Sequence, residues 1–453
     1  MDRHYKVLDF FVPKTNQKSI ETNTKYIDEQ VSMEFLELIN KEYEINGFLV
    51  LIKKLIEKIQ KHPLLLNHKS IDLILDRLFT GIDRLSFVSV DGIFQLLTKT
   101  INLMPELAYL IIEPIRIRFF EEILSDATYF PNYSRLWGVL HSILKSSDRK
   151  DIGDFDELLE KAVFCILQPE NIPCNIVFLS RETHEQSMRM EIKSSAILFL
   201  SRLLYFRTFQ SVGYIITKCI EVFNDKDSPD IMIIASLCFM KSVIKNHISD
   251  DFDKETVFFN AIRLSKHENF QISKRAFNLE LQALFLCTNM YTVLCEFGIF
   301  DSLVCFLFND KASKAFRGVI YILENPQFDW IEMTKDILDQ FIDSVFEVRQ
   351  YSLIAYAILI FRSNNNSVDE LLGDFSIVDQ IISTIESINP IYIHHIIDCL
   401  IRVLNHCCER NSIISLFNVV DKEALRNLFE YADNDKIPTH VLDLFFNKTI
   451  ADR

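Results

Sequence analysis

Six side chains between positions 394 and 408 could hold a metal: His394, His395, Cys399, His406, Cys407 and Cys408. His395 and Cys399 stand four residues apart and would share one helix face, and imidazole and thiolate are the usual zinc ligands. The same segment also reads as a helix whose histidines are core or surface groups and whose cysteines pack. That second reading is the one adopted, so the sequence predicts no metal, no cofactor and no catalytic residue. Other constellations fall short in identifiable ways. His184-Glu185 and His267-Glu268 lack the second histidine of a zinc-protease helix. The acidic runs Asp225–Asp230 and Asp250–Glu255 lack the glycine and terminal glutamate of a calcium loop and read as solvated turns. The nine glycines are never closer than 11 positions to one another. That spacing excludes dinucleotide, Walker A and nucleophile-elbow loops, which need glycines within a few positions because only glycine adopts their backbone cheaply.

What remains with chemical content is a pattern of basic residues. The helical segments 192–208, 231–247, 272–286, 312–323, 348–362 and 391–406 together carry +10 in a chain of net charge −15, leaving −25 elsewhere. Each segment has an anchor: Ala196, Ala235, Ala276, Ala315, Ser352 and His395. At about 100° per residue from the anchor, Arg202 and Lys241 fall near 240°, Arg275 and Lys314 near 260°, Lys245 near 280° and Arg317 near 200°. Tyr351 and His394 take that position in the next two segments, so the basic ladder fades. A row of cations suits carboxylates or phosphates. Arg202, Lys241, Arg275, Lys314 and Arg317 are therefore the candidate partner-binding residues, although Lys and Arg also decorate any solvated helix face.

The elements that must position such a row are helices. The stretch Phe346–Phe361 is apolar at every position from Tyr351 on except Ser352, yet at 11 residues that run is too short for a bilayer. It reads as a helix enclosed by other helices, with Ser344 and Glu347 at the spacing of a capping box. Similar helices begin near Ile192, Ile231, Ile272, Ala312, Val348, Ile391 and Ile437, and with Val441 as the last anchor the intervals are 39, 41, 39, 37, 43 and 46 residues. Proline start signals stand at Ser228-Pro229, Asn389-Pro390 and Pro131-Asn132, the last ahead of a helix at 133–146. The period and the V-R-x-x-small lead into an apolar run resemble the inner helices of armadillo and HEAT repeats. That resemblance implies an all-α, right-handed superhelical solenoid of about nine or ten units over 31–450, clearest over 188–450. It also implies a concave face lined by the inner helices and a protein-binding role without a reaction. The Trp and Asn ladder with which importin-alpha proteins hold basic peptides is absent, since Trp137 and Trp330 do not recur at the repeat interval.

Residues 1–30 read as a polar arm, and 168–187, with two prolines and no helical period, as a loop inserted between repeats. The acidic balance argues against nucleic acid, whose phosphates it would repel. The opening segment carries charges and a proline where a secretory leader would be apolar. Ten cysteines without a C-x-x-C pair read as reduced thiols, which points to the cytoplasm or nucleus, and no membrane insertion is expected. The expected function is a non-enzymatic scaffold that binds an acidic or phosphorylated segment of a protein partner. The alternative is a regulatory subunit that steers a protein phosphatase or kinase to its substrates.

Overall fold

The computed structural model describes residues 87–103, 114–146, 155–174, 182–248, 252–325 and 331–421, with a few isolated positions besides. The expected arm at 1–30 and the last repeat around Val441 lie outside the described residues. Among the described residues the chain is all-α, with eighteen α-helices and no strand. Helices pack mainly on their near neighbours in sequence, within two compact units divided at Val257.

The first unit contains α1 (Phe87–Leu103), α2 (Pro114–Ile123), α3 (Tyr133–Ser146), α4 (Asp156–Leu167), α5 (Glu182–Leu203), α6 (Val212–Asn224) and α7 (Asp230–Lys245). Alternate helices form a spine: α1 packs on α3, α3 on α5 and α5 on α7, while α4 covers α5 and α6 covers α7. The core holds Trp137 against Phe199 at 5.2 Å between ring centres, with Phe155 beyond at 6.4 Å from Phe199. Offset aromatic contacts of this kind add to the burial of large apolar surfaces.

The unit boundary falls within α8 (Lys254–Ser265). The second unit continues with α9 (Phe270–Leu286), α10 (Tyr291–Glu296), α11 (Ile299–Leu307), α12 (Ala312–Glu324), α13 (Ile331–Asp339), α14 (Phe346–Arg362), α15 (Asn365–Leu372), α16 (Ser376–Ser383), α17 (Ile393–Glu409) and α18 (Ile413–Val419). Its spine runs α9, α12, α14, α17, and α11, α13, α15 and α16 lie against it. From Ser352 to Ile360 every residue of α14 is buried, as an enclosed helix requires.

The anchors explain the close approach of the spine helices. Ala196, Ala235, Ala276, Ala315 and Ser352 are all fully buried, and only small side chains fit where helix axes converge. His395 departs from this pattern and is only partly buried.

Helix ends differ from expectation in three places. Ser228 does not cap α7: Pro229 holds the cap position without a side-chain hydrogen bond, and the Ser228 hydroxyl donates to Asp225 Oδ2 at 3.1 Å. Ser344 does not cap α14; Val345 occupies the cap position, with no side-chain hydrogen bond, so the capping-box spacing sits one residue out of register. At 168–187 the helix returns earlier than the prolines suggest, since α5 begins at Glu182. An Arg189–Glu185 ion pair four residues apart supports this early turn, and Arg189 also donates to the carbonyls of Pro169 and Ile172, tying the preceding segment down. Asn389 caps the short 3-10 turn Pro390–Tyr392 that leads into α17, accepting from Ile391 N at 3.1 Å, and α3 starts at Tyr133 directly after Pro131-Asn132.

One device recurs along the spine. Arg202 near the end of α5 donates to Leu144 O at 3.2 Å and Lys145 O at 3.1 Å, which close α3. Arg362 at the end of α14 donates to Leu323 O of α12, and Arg402 of α17 donates to Ser363 O just past α14 at 3.2 Å. The last carbonyls of a helix lack intrahelical donors and carry partial negative charge. Each arginine supplies both a donor and a cation, so within each unit it fastens the C-terminal end of one spine helix to the helix packed beside it.

Candidate functional site

The sequence-derived basic ladder falls in two units, and each part is described on its own. In the first unit Arg202 is half-buried and engaged at the end of α3; its guanidinium also lies 4.8 Å from the Tyr205 ring centre. Lys245 approaches the same ring at 4.9 Å, so two cations share Tyr205. Burial pulls the pKa of Arg202 below the ordinary arginine value. Lys241 is half-buried.

In the second unit the cations converge. Lys274 of α9 and Lys311, the residue before α12, each reach the Asp310 carboxylate at 3.4 Å. Lys314 of α12 is exposed and donates to Asn278 Oδ1 of α9 at 3.4 Å. Desolvation first, then the positive charges of Lys311, Arg317 and Lys274, push the pKa of Lys314 below the ordinary lysine value. Lys274 and Lys311 thus share one carboxylate, and together with Arg317 they act on Lys314. Arg275, the sequence-predicted member on α9, is half-buried, and the residue that faces the cluster is its neighbour Lys274. The angular count missed Lys274 because it fixes a residue's direction on the helix, not the reach of a long flexible side chain.

The same face continues along the unit. The Arg317 guanidinium lies beside the phenols of Tyr351 and Tyr392; burial pushes both phenols up and the arginine charge pulls them back. The Tyr351 and Tyr392 rings meet edge to face at 6.0 Å, and Tyr392 stacks on His395 at 6.3 Å. His395 Nε2 lies 2.7 Å from Glu324 Oε1, joining the first turn of α17 to the last residue of α12. Here the sequence-predicted fade of the ladder is visible as a change of chemistry, from lysines and an arginine to tyrosines, histidines and a glutamate.

Of the six potential ligands at 394–408, His394 and His395 lie side by side, with ring centres 3.7 Å apart, and the other four do not join them. Cys399 is fully buried and its thiol is pushed up by burial, as are those of Cys407 and Cys408. His406 is buried against Asp369, with Nε2 at 2.6 Å from Oδ1. None of the ten cysteines forms a disulfide. No helix among the described residues is long and apolar enough to cross a membrane.

No family model matches the chain, and no curated protein matches it. A crystal structure of an engineered protein from the Northeast Structural Genomics Consortium is similar in fold, with a TM-score of 0.53 and 11% identity, covering 91% of this chain and 97% of that one. At that identity the likeness concerns the fold alone.

Proposed function

We propose that the chain is a non-enzymatic helical-repeat scaffold, a right-handed solenoid of the armadillo or HEAT kind, that docks an acidic or phosphorylated segment of a protein partner. The docking face is the spine of the second unit, with Lys274, Lys311, Lys314 and Arg317 as the contacts and Arg275 beside them. The observation that carries this reading is the convergence of four cations in a chain of net charge −15. Mutual repulsion of that kind is a cost in the free protein, and a carboxylate- or phosphate-bearing ligand relieves it. Period, buried small anchors and sequential packing support the repeat architecture. Arg202 is occupied as a helix cap and is left out of the docking set.

Affinity purification with mass spectrometry tests the proposal. Wild-type chain should retain a protein partner that the Lys314→Glu/Arg317→Glu variant loses, with circular dichroism unchanged in the variant. Equal retention by both proteins would contradict the docking face. A stoichiometric phosphatase or kinase catalytic subunit in the eluate would instead select the regulatory-subunit reading.

A further inference from the structure

Beyond the docking face, and independently of it, we infer that Glu324, His394 and His395 form a binding site for one divalent transition-metal ion of the zinc class. The three residues offer one carboxylate oxygen and two imidazole nitrogens, all within 4.8 Å of one another. A zinc ion with ligands at about 2.0–2.2 Å brings its donors to within some 3.5 Å of each other, a closure that side-chain rotation supplies. Two nitrogens and an oxygen form a ligand set suited to zinc, cobalt or nickel rather than to calcium or magnesium.

Three features of the surroundings favour an ion here. His395 and Glu324 already face each other at 2.7 Å, across 71 residues of sequence, and a metal can take the place of the proton they share. The His394 and His395 rings lie 3.7 Å apart, centre to centre, so the two imidazoles are already together at the start of α17. Glu324 and His394 are exposed, so an ion is reached from solvent and its fourth position stays open to water or to an incoming carboxylate. Such an ion would fasten the end of α12 to the start of α17, two spine helices separated by α14. The inference departs from the expectation of no metal that the sequence supports, because Glu324 enters only through the fold.

Cobalt(II) chloride added to the metal-free full-length chain at pH 7.5 provides the test, with zinc chloride as competitor. The expected result is saturable one-to-one binding with visible d–d absorption, displaced by zinc. Affinity should fall at least tenfold in each of Glu324→Gln, His394→Gln and His395→Gln, with helicity unchanged by circular dichroism. Three results would each overturn the site: no binding up to millimolar cobalt, near-ultraviolet thiolate charge-transfer bands that place the ion on cysteines, or undiminished affinity in any of the three variants.

Discussion

Glu280 is the residue that most clearly works against the fold around it. It lies in α9, and both carboxyl oxygens are buried without a hydrogen-bond partner. Ser265 and Ser302 stand close enough to temper the effect, but their hydroxyls bond each other at 2.9 Å and Ser265 donates to Ile262 O. Desolvation therefore dominates and pushes the carboxyl up to about 8 from 4.5. The folded protein keeps this proton across a pH range where the unfolded chain has lost it. Stability consequently falls as pH rises from about 4.5 to about 8 and levels off above. At pH 7 the cost is on the order of 3 kcal/mol. Glu280→Gln should raise the urea midpoint at pH 7 to 8 and leave it nearly unchanged at pH 4.5; parallel pH profiles for both proteins would contradict this account. At the same scale, Lys314 and Arg317 were legible from the repeat angle, whereas Lys274 and Glu324 were not. Lys274 depends on side-chain reach, and Glu324 meets His395 only because 71 residues of folded chain bring them together.

At Gly318, α12 has no room for a side chain. A Cβ on Gly318 would stand 2.5 Å from Leu303 Cδ2 and 3.0 Å from Leu281 Cδ2, so α11 and α9 press on it from two sides. Gly318→Ala gains about 1 kcal/mol of helix propensity but overpacks a filled core, which costs about 1–3 kcal/mol. The net should be a loss of up to about 2 kcal/mol, visible as a lower melting temperature; a stabilised variant would show that the leucines yield freely. The arginine caps make a second prediction at this scale. Arg362→Ala leaves Leu323 O without its charged donor and should cost about 1–3 kcal/mol in urea unfolding, with Arg362→Lys recovering only part. An unchanged midpoint would mean that water replaces the guanidinium at no loss. Helix positions were largely legible, because five buried small anchors at near-constant spacing mark where axes converge. Helix ends were less so. Val345 caps α14 although Ser344 has the better chemistry, and Arg189 holds α5 helical back to Glu182 through contacts with Pro169 and Ile172.

At the scale of the whole molecule, charge is distributed against the overall balance. A chain of −15 brings Lys274 of α9, Lys311 just before α12, and Lys314 and Arg317 of α12 near one another in its second unit, with aromatic and histidine side chains continuing the face. Each solvated contact to a ligand is worth about 0.5–1 kcal/mol or less, so capture by the proposed docking face would rest on several acting together. Such binding weakens as the Debye length contracts from about 10 Å to about 3 Å between 0.1 M and 1 M salt. The most direct test is fluorescence anisotropy of a labelled peptide of alternating aspartate and phosphoserine, titrated with the full-length chain. The account predicts saturable binding that weakens steeply with salt and is lost in Lys314→Glu/Arg317→Glu. Binding that is insensitive to salt, or equal for the wild type and the charge-reversed variant, would contradict it.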